Sequence, residues 1–338
     1  MPDKEKKRVA IACQGGGSHG AFTWGVLDYL LEDGRIDIEG ASGTSAGGMN
    51  CLALCQGMVD GGKEGARKSL HDYWKTLSEY SKKAGMAPTP MDRLKGGYGV
   101  TNPVFSALNN ISKKFSPYEW NPKNKNMLAD LVKEFFDFNK ISTYDDLKVF
   151  LCATNVRISK LKIFTGEELT PAAALASACL PSLFQAVTID GEDYWDGGFI
   201  GNPAIFPLIY NCKTSDIIVI LLTPQYRDKT PKTLKDIHWR RTELSLVNTL
   251  MREMRAIQFI SKLIDDGVAD KTKIKRINMH VIENPEVFVD LDHTSALNTD
   301  WDFFNHLFEK GRETAEKWVK KNINDVGVKS TVELADNF

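Results

Sequence analysis

The sequence predicts an α/β protein built on a mostly parallel sheet, and three observations carry that prediction. Residues 9–13 form a short apolar run entering a glycine-rich loop, after which Ala21, Trp24, Leu27, Leu30 and Leu31 recur at helical spacing. Residues 36–42 then read as a second short strand and 46–58 as a helix rich in small residues, giving a β-α-β-α start. The 338 residues are 42% apolar and 26% charged, a globular composition that excludes wholesale disorder, collagen-like repeats and a many-span membrane protein.

Further along, residues 59–142 change texture. Gly61-Gly62, Pro88, Pro90, Gly96-Gly97, Pro103, Pro117 and Pro122 break the pattern, with Lys and aromatics between short helical stretches. This reads as an insertion over the sheet's edge, a lid or substrate groove. Strand-like runs resume at 149–153, 162–164, 194–195 and 216–223. Leu246, Val247, Leu250, Met251, Met254, Ile257, Ile260, Leu263 and Ile264 then keep one helical face. Residues 277–283 form a last strand, and 301–321 a closing helix with Phe304, Leu307, Phe308 and Trp318.

Lys and Arg number 43 against 44 Asp and Glu, a net charge of -1, so no global basic field gathers nucleic acid. The six cysteines, Cys13, Cys51, Cys55, Cys152, Cys179 and Cys212, sit mostly in apolar runs and read as small buried hydrophobes. Cys51 and Cys55 lack a second pair at zinc-site spacing, so neither metal nor cofactor is expected. Residues 1–8 carry charge with no apolar signal core, and the longest clean apolar run, 217–222, is far short of a span. A cytoplasmic protein, soluble when made, is the expectation.

Gly15-x-Gly17-x-x-Gly20 satisfies the literal dinucleotide fingerprint, with Asp37 or Glu39 near the distance of a ribose-binding carboxylate. Consecutive glycines also suit a ribbon of N–H groups offered to an oxyanion, or a plain tight turn. The next strand decides. It ends in Gly43-Thr44-Ser45-Ala46-Gly47, a G-x-S-x-G in which a nucleophilic serine projects from a turn that only small flanking residues allow. The competing role for Ser45 is a helix N-cap. A nicotinamide enzyme has no need of that serine.

Serine hydroxyl needs a base. In the order Ser, acid, His, Asp196 could pair with His238, His280 or His293, yet none of these follows a strand in a glycine-rich turn. Asp290, Asp292 and His293 lack further ligands for a metal. Asp196 precedes Gly197-Gly198 at the end of a strand, on the sheet rim where α/β proteins bind ligands; it also suits an ordinary Asp-Gly turn.

In order and spacing, Gly15-Gly16-Gly17-Ser18-His19-Gly20, Gly43-Thr44-Ser45-Ala46-Gly47, Ala176-Ser177-Ala178-Cys179-Leu180-Pro181 and Asp196-Gly197-Gly198 resemble the four blocks of the patatin-like phospholipase family. The resemblance implies a three-layer α/β/α fold, a Ser–Asp dyad without histidine and hydrolysis of lipid acyl esters. It makes Ser45 the nucleophile, Asp196 the base, and Gly15, Gly16, Gly17 and Ser18 the oxyanion loop, with Gly43, Gly47, His19, Gly197 and Gly198 in support. It places a catalytic core over 8–225, with the insertion at 59–142, and a helical extension over 226–338 packed on that core, similar to that of some bacterial members. Two residues depart from the family's pattern: Gln14 stands where an Asp is usual, and His19 where an Arg or Lys braces the loop. Because imidazole titrates near neutrality, His19 predicts altered oxyanion geometry or pH dependence.

The expected function is therefore a phospholipase A-type lipid acyl hydrolase, its partners a phospholipid or other acyl-ester lipid and a peripheral membrane surface. The alternatives are an esterase or thioesterase on soluble acyl substrates, and a binding or effector module with an idle site. Residues 227–276 hold 13 Lys or Arg against 7 Asp or Glu. That surplus is either a solvated helix face or a surface for anionic lipid.

Overall fold

The computed structural model describes residues 6–89, 92, 98–100, 102–270, 272–291 and 294–332. Residues 1–5, the breaks at Pro90, Gly96 and Gly97, and Asp292 with His293 lie outside the described residues. Among the described residues eight strands form one sheet: β1 (Lys7–Cys13), β2 (Ile36–Thr44), β3 (Lys148–Asn155), β4 (Lys160–Phe164), β5 (Val187–Ile189), β6 (Glu192–Asp196), β7 (Asp216–Ile220) and β8 (Asn278–Ile282). Their order is β5-β6-β3-β2-β1-β7-β8, with β4 paired to β3. The ladders β3-β2-β1-β7-β8 are parallel, while β4, β5 and β6 run antiparallel to their neighbours.

The principal helices, in chain order, are α1 (Gly20–Asp33), α2 (Ala46–Lys83), α3 (Pro171–Ser177), α4 (Leu234–Asp265) and α5 (Trp301–Asn322). Alternation along β1 shows why the sheet is covered on both faces. Val9, Ile11 and Cys13 enter a core with Phe22, Leu27, Leu52 and Phe304, contributed by α1, α2 and α5. Ala10 and Ala12 enter a second core with Leu250, Met254 and Ile257 of α4. Period-two side chains on a doubly buried strand thus produce the three-layer α/β/α arrangement.

Several bounds differ from the sequence expectation. β2 extends to Thr44, so the elbow grows directly from the strand. The helix expected to stop at 58 continues to Lys83, broken at Gly61 and Gly62, where Gly62 has φ 62°. The hairpin partner β5 carries only three residues, too few for a periodic signal. The 226–338 stretch adds β8 to the sheet as well as helices.

Candidate active site

Ser45 sits between β2 and α2 at φ 55° and ψ -125°, and its side chain makes no capping bond, so the N-cap role is not the one it plays. A non-glycine residue there is strained and must be held. The hold comes from Ser177, at the end of α3, whose carbonyl and Oγ accept the Ser45 N–H at 3.0 and 3.1 Å. Small flanks are obligatory. A Cβ on Gly47 would come 2.1 Å from the Cys13 carbonyl oxygen, and one on Gly43 would come 2.5 Å from the Gly47 backbone.

Two residues downstream of Ser177, the Cys179 carbonyl accepts the Asp196 N–H at 2.8 Å. The short Ala176–Cys179 block therefore ties both ends of the candidate dyad to one piece of chain. Asp196 ends β6 and is buried; its Oδ1 accepts the Gly198 N–H at 2.7 Å, and its carbonyl accepts the Thr154 hydroxyl at 2.8 Å. The turn role and an inward-facing carboxylate coexist in one residue. Burial pushes its pKa up to about 6, against the Gly198 N–H and the nearby Ser45 hydroxyl, which hold it down. Among the described residues no hydrogen bond joins the two side chains, and Asp196 Oδ2 is buried without a partner.

The glycine loop crosses in front of the elbow. Gly15 packs so closely that a Cβ would lie 2.6 Å from the Thr44 carbonyl oxygen and 3.0 Å from Ser45 Cβ. Its N–H donates to Asn202 Oδ1 at 2.7 Å, so Gly15, expected among the oxyanion donors, has that N–H committed. The N–H groups of Gly16 and Gly17 have no hydrogen-bond partner among the described residues. Gly17 takes φ 58°, and the turn at Ser18 and His19 leads on into α1. Gln14, fully buried, accepts from the Leu222 and Thr223 N–H groups at 2.7 and 2.9 Å and donates to the Asn202 carbonyl at 3.4 Å. A carboxylate could accept those two bonds but not donate the third.

His19 corrects an expectation. It is 7% exposed, its Nε2 meets Ser295 Oγ at 2.8 Å, and burial lowers its pKa to about 4. The ring is neutral at physiological pH and does not titrate near neutrality. The ribose carboxylates of the dinucleotide reading are also misplaced. Asp37 pairs with Arg8 at the start of β1, whereas Cys13 at the loop end pairs with Gly43. Glu39 instead accepts the Lys213 and Thr214 N–H groups at 2.6 and 2.9 Å.

Ser45, Asp196, Gly15, Gly16, Gly17, His19 and Gly198 line one cavity of about 250 Å³. More than half of its lining comes from residues after 209, including Leu222, Trp239, Leu246, Phe288 and Leu297. None of its lining comes from the described part of 59–142. Its described residues reach the site only indirectly: Tyr98 and Val100 bond the turn that carries Ala296 and Leu297, while Tyr118 Oη accepts the Ala186 N–H and Gln185 Nε2 donates to the Asn121 carbonyl. Ser18, Gly43, Gly47 and Gly197 are not among its lining residues. His238 is exposed on α4, and His280 is buried against Asp216 and Thr331, so neither is among the lining residues. Sequence reasoning missed Asn202, whose signal is faint: a lone amide before a proline, four residues after Gly198.

A mostly parallel sheet thus carries Ser45 on a tight strand-to-helix turn beside a glycine-rich loop, with Asp196 at the end of another strand. Residues 11–209 match the family model described as patatin-like phospholipase, and the chain belongs to that family. Membership places it among the lipid ester hydrolases. Among solved structures, VipD from Legionella pneumophila is similar at 16% identity over 91% of this chain and 67% of its own, with a TM-score of 0.35. A chain of the heterodimeric ExoU-SpcU complex from the type III secretion system of Pseudomonas aeruginosa is similar at 15% identity over 94% of this chain, also with a TM-score of 0.35. The chain spans 53% of the length of that second structure. No curated protein matches the chain.

Proposed function

We propose that the protein hydrolyses the acyl ester of a phospholipid or related lipid through Ser45 and Asp196. Ser45 Oγ attacks the acyl carbonyl carbon while its proton passes to Asp196 Oδ2. The carbonyl oxygen becomes an oxyanion that accepts from the Gly16 and Gly17 N–H groups, with the N–H of Ser18 next in the ribbon. Collapse expels the alcohol, which takes the proton from Asp196. Water, deprotonated by Asp196, then attacks the acyl-enzyme carbonyl; the acyl–Oγ bond breaks, the carboxylic acid leaves, and Ser45 Oγ takes the proton back from Asp196.

The observation that carries this reading is the buried Oδ2 of Asp196, unpartnered among the described residues, in the same cavity as a serine held at a strained φ. A buried acceptor left open costs about 1–3 kcal/mol, which a fold tolerates where the group has work to do. The substrate is proposed to lie in a lipid surface that the protein meets peripherally. Leu180 and Leu297 both line the cavity and remain 36% and 37% exposed. No described helix is long and apolar enough to cross a membrane.

Fluorophosphonate labelling and ester hydrolysis by the purified chain test the nucleophile. Ser45→Ala is expected to abolish labelling and to lower hydrolysis by about 10³-fold or more. Hydrolysis surviving above about a hundredth of the original would remove the serine mechanism.

A further inference from the structure

The glycine loop is gripped from two sides. On one side Gln14 and Asn202 hold its first residues through the bonds to Leu222, Thr223 and Gly15. On the other side stands the turn Ser295–Leu297, far outside the stretch that matches the family model. A Cβ on Gly17 would lie 2.2 Å from the Ala296 carbonyl oxygen, so the two backbones touch where Gly17 adopts its positive φ. Beside that contact His19 Nε2 meets Ser295 Oγ at 2.8 Å across 276 residues of chain, and Ser295 is fully buried.

The Ser295 turn is itself anchored. The Val100 N–H donates to Thr294 Oγ1 at 2.8 Å, and Asn298 Nδ2 donates to the Tyr98 carbonyl at 2.9 Å. The His19 ring packs between Phe288 and Phe303, with centroids 5.4 and 6.4 Å away. The packing and the contact with Ser295 together constrain the ring.

We propose that His19 and Ser295 are positioning residues: their hydrogen bond, with the Ala296 backbone, fixes the glycine loop so that the Gly16 and Gly17 N–H groups point at the reacting carbonyl. The proposal rests on the reading of Ser45 and the loop given above. It assigns to the chain's far end the bracing that a cation within the loop performs in the family's usual pattern. Burial keeps the ring uncharged, so this brace is dipolar and indifferent to salt. An oxyanion donor misplaced by about 1 Å costs on the order of 10- to 100-fold in rate, and the loss belongs to the transition state rather than to substrate binding.

The test is steady-state hydrolysis of a p-nitrophenyl acyl ester by the full chain, with thermal unfolding of each variant. Ser295→Ala and His19→Phe, which keeps the ring stacked on its neighbours, should each lower kcat by about 10- to 100-fold with KM within about threefold. The double variant should lose no more than the worse single, because one bond is removed in all three. Ser295→Thr retains the hydroxyl and should recover most of kcat even if its melting temperature falls, which separates positioning from general stability. Singles within twofold of the original kcat, losses confined to KM, multiplying losses in the double, or a Ser295→Thr variant that stays folded without recovering, would each overturn the proposal. Ser45→Ala is measured in parallel. Activity surviving there removes the catalytic reading, whereas an inactive Ser45→Ala beside a fully active Ser295→Ala removes the brace alone.

Discussion

Asp196 is held in a state that costs the fold something. Its carboxyl is buried and its pKa lies near 6, against an ordinary 3.8, so the native state binds a proton more tightly than the unfolded chain. The stability this confers is fully present below the ordinary value and is lost as pH rises through about 6; above that, the ionised group costs at most about 3 kcal/mol. Asp196→Asn keeps an acceptor for the Gly198 N–H and stays neutral. It is expected to melt higher than the original protein at pH 7, with the difference vanishing below pH 4, while ester hydrolysis is lost. Calorimetry at the two pH values checks the sign. In the proposed mechanism Asp196 acts as base only when ionised, so hydrolysis should rise about tenfold per pH unit up to about 6 and level off above it. His19, lowered to about 4, should add no limb near neutrality to that profile.

Among the elements, α1 and α5 cross closely because two glycines face each other. A Cβ on Gly311 of α5 would lie 2.1 Å from the Phe22 carbonyl oxygen of α1, and one on Gly25 would lie 2.0 Å from that of Phe308. Alanine at 311 would gain about 1 kcal/mol of helix propensity, but the backbone it meets cannot yield. The expected net effect of Gly311→Ala is a loss of about 1–3 kcal/mol, read from urea unfolding. The same elements show what a sequence makes legible. The units β1-loop-α1 and β2-elbow-α2 were readable because strand, turn and helical face all lie within about twenty residues of one another. The amphipathic pattern through Leu250, Met254 and Ile257 likewise marked α4 as a sheet-covering helix. Asn202 on Gly15 and Ser177 beneath Ser45 were not legible as site residues, since nothing local distinguishes an amide or hydroxyl that closes a contact more than a hundred residues away. His19 departs from the sequence expectation for the same reason: burial lowers its pKa, and the neighbours that bury it, Phe288 and Phe303 among them, are brought to it only by the fold.

At the scale of the molecule, the match to the family ends at 209, while most of the cavity wall is built from residues beyond that point. Arg227 and Arg240 both bond the buried carboxylate of Glu243, pinning the start of α4 beside the 224–227 loop. Lys229, Lys232 and Arg241 are exposed and take part in no ion pair among the described residues, and Tyr226, Leu234 and Leu244 nearby are exposed apolar groups. Each such cation near an anionic leaflet contributes about 1 kcal/mol. Co-sedimentation should therefore favour vesicles containing anionic lipid over neutral ones, and raising the salt from about 0.1 to about 1 M should weaken the difference. Equal, salt-insensitive binding to both would leave the surplus of positive charge as ordinary solvated surface.

The span between His19 and Ser295 also has a meaning in time. A ribosome adding about 5–20 residues per second needs on the order of 10–60 s to travel from one to the other. Early in that interval the serine elbow and its glycine ribbon have both been synthesised, but the turn that grips the ribbon does not yet exist. If the proposed brace holds, a nascent chain of this protein carries its serine elbow and glycine ribbon unbraced until Ser295 has been added.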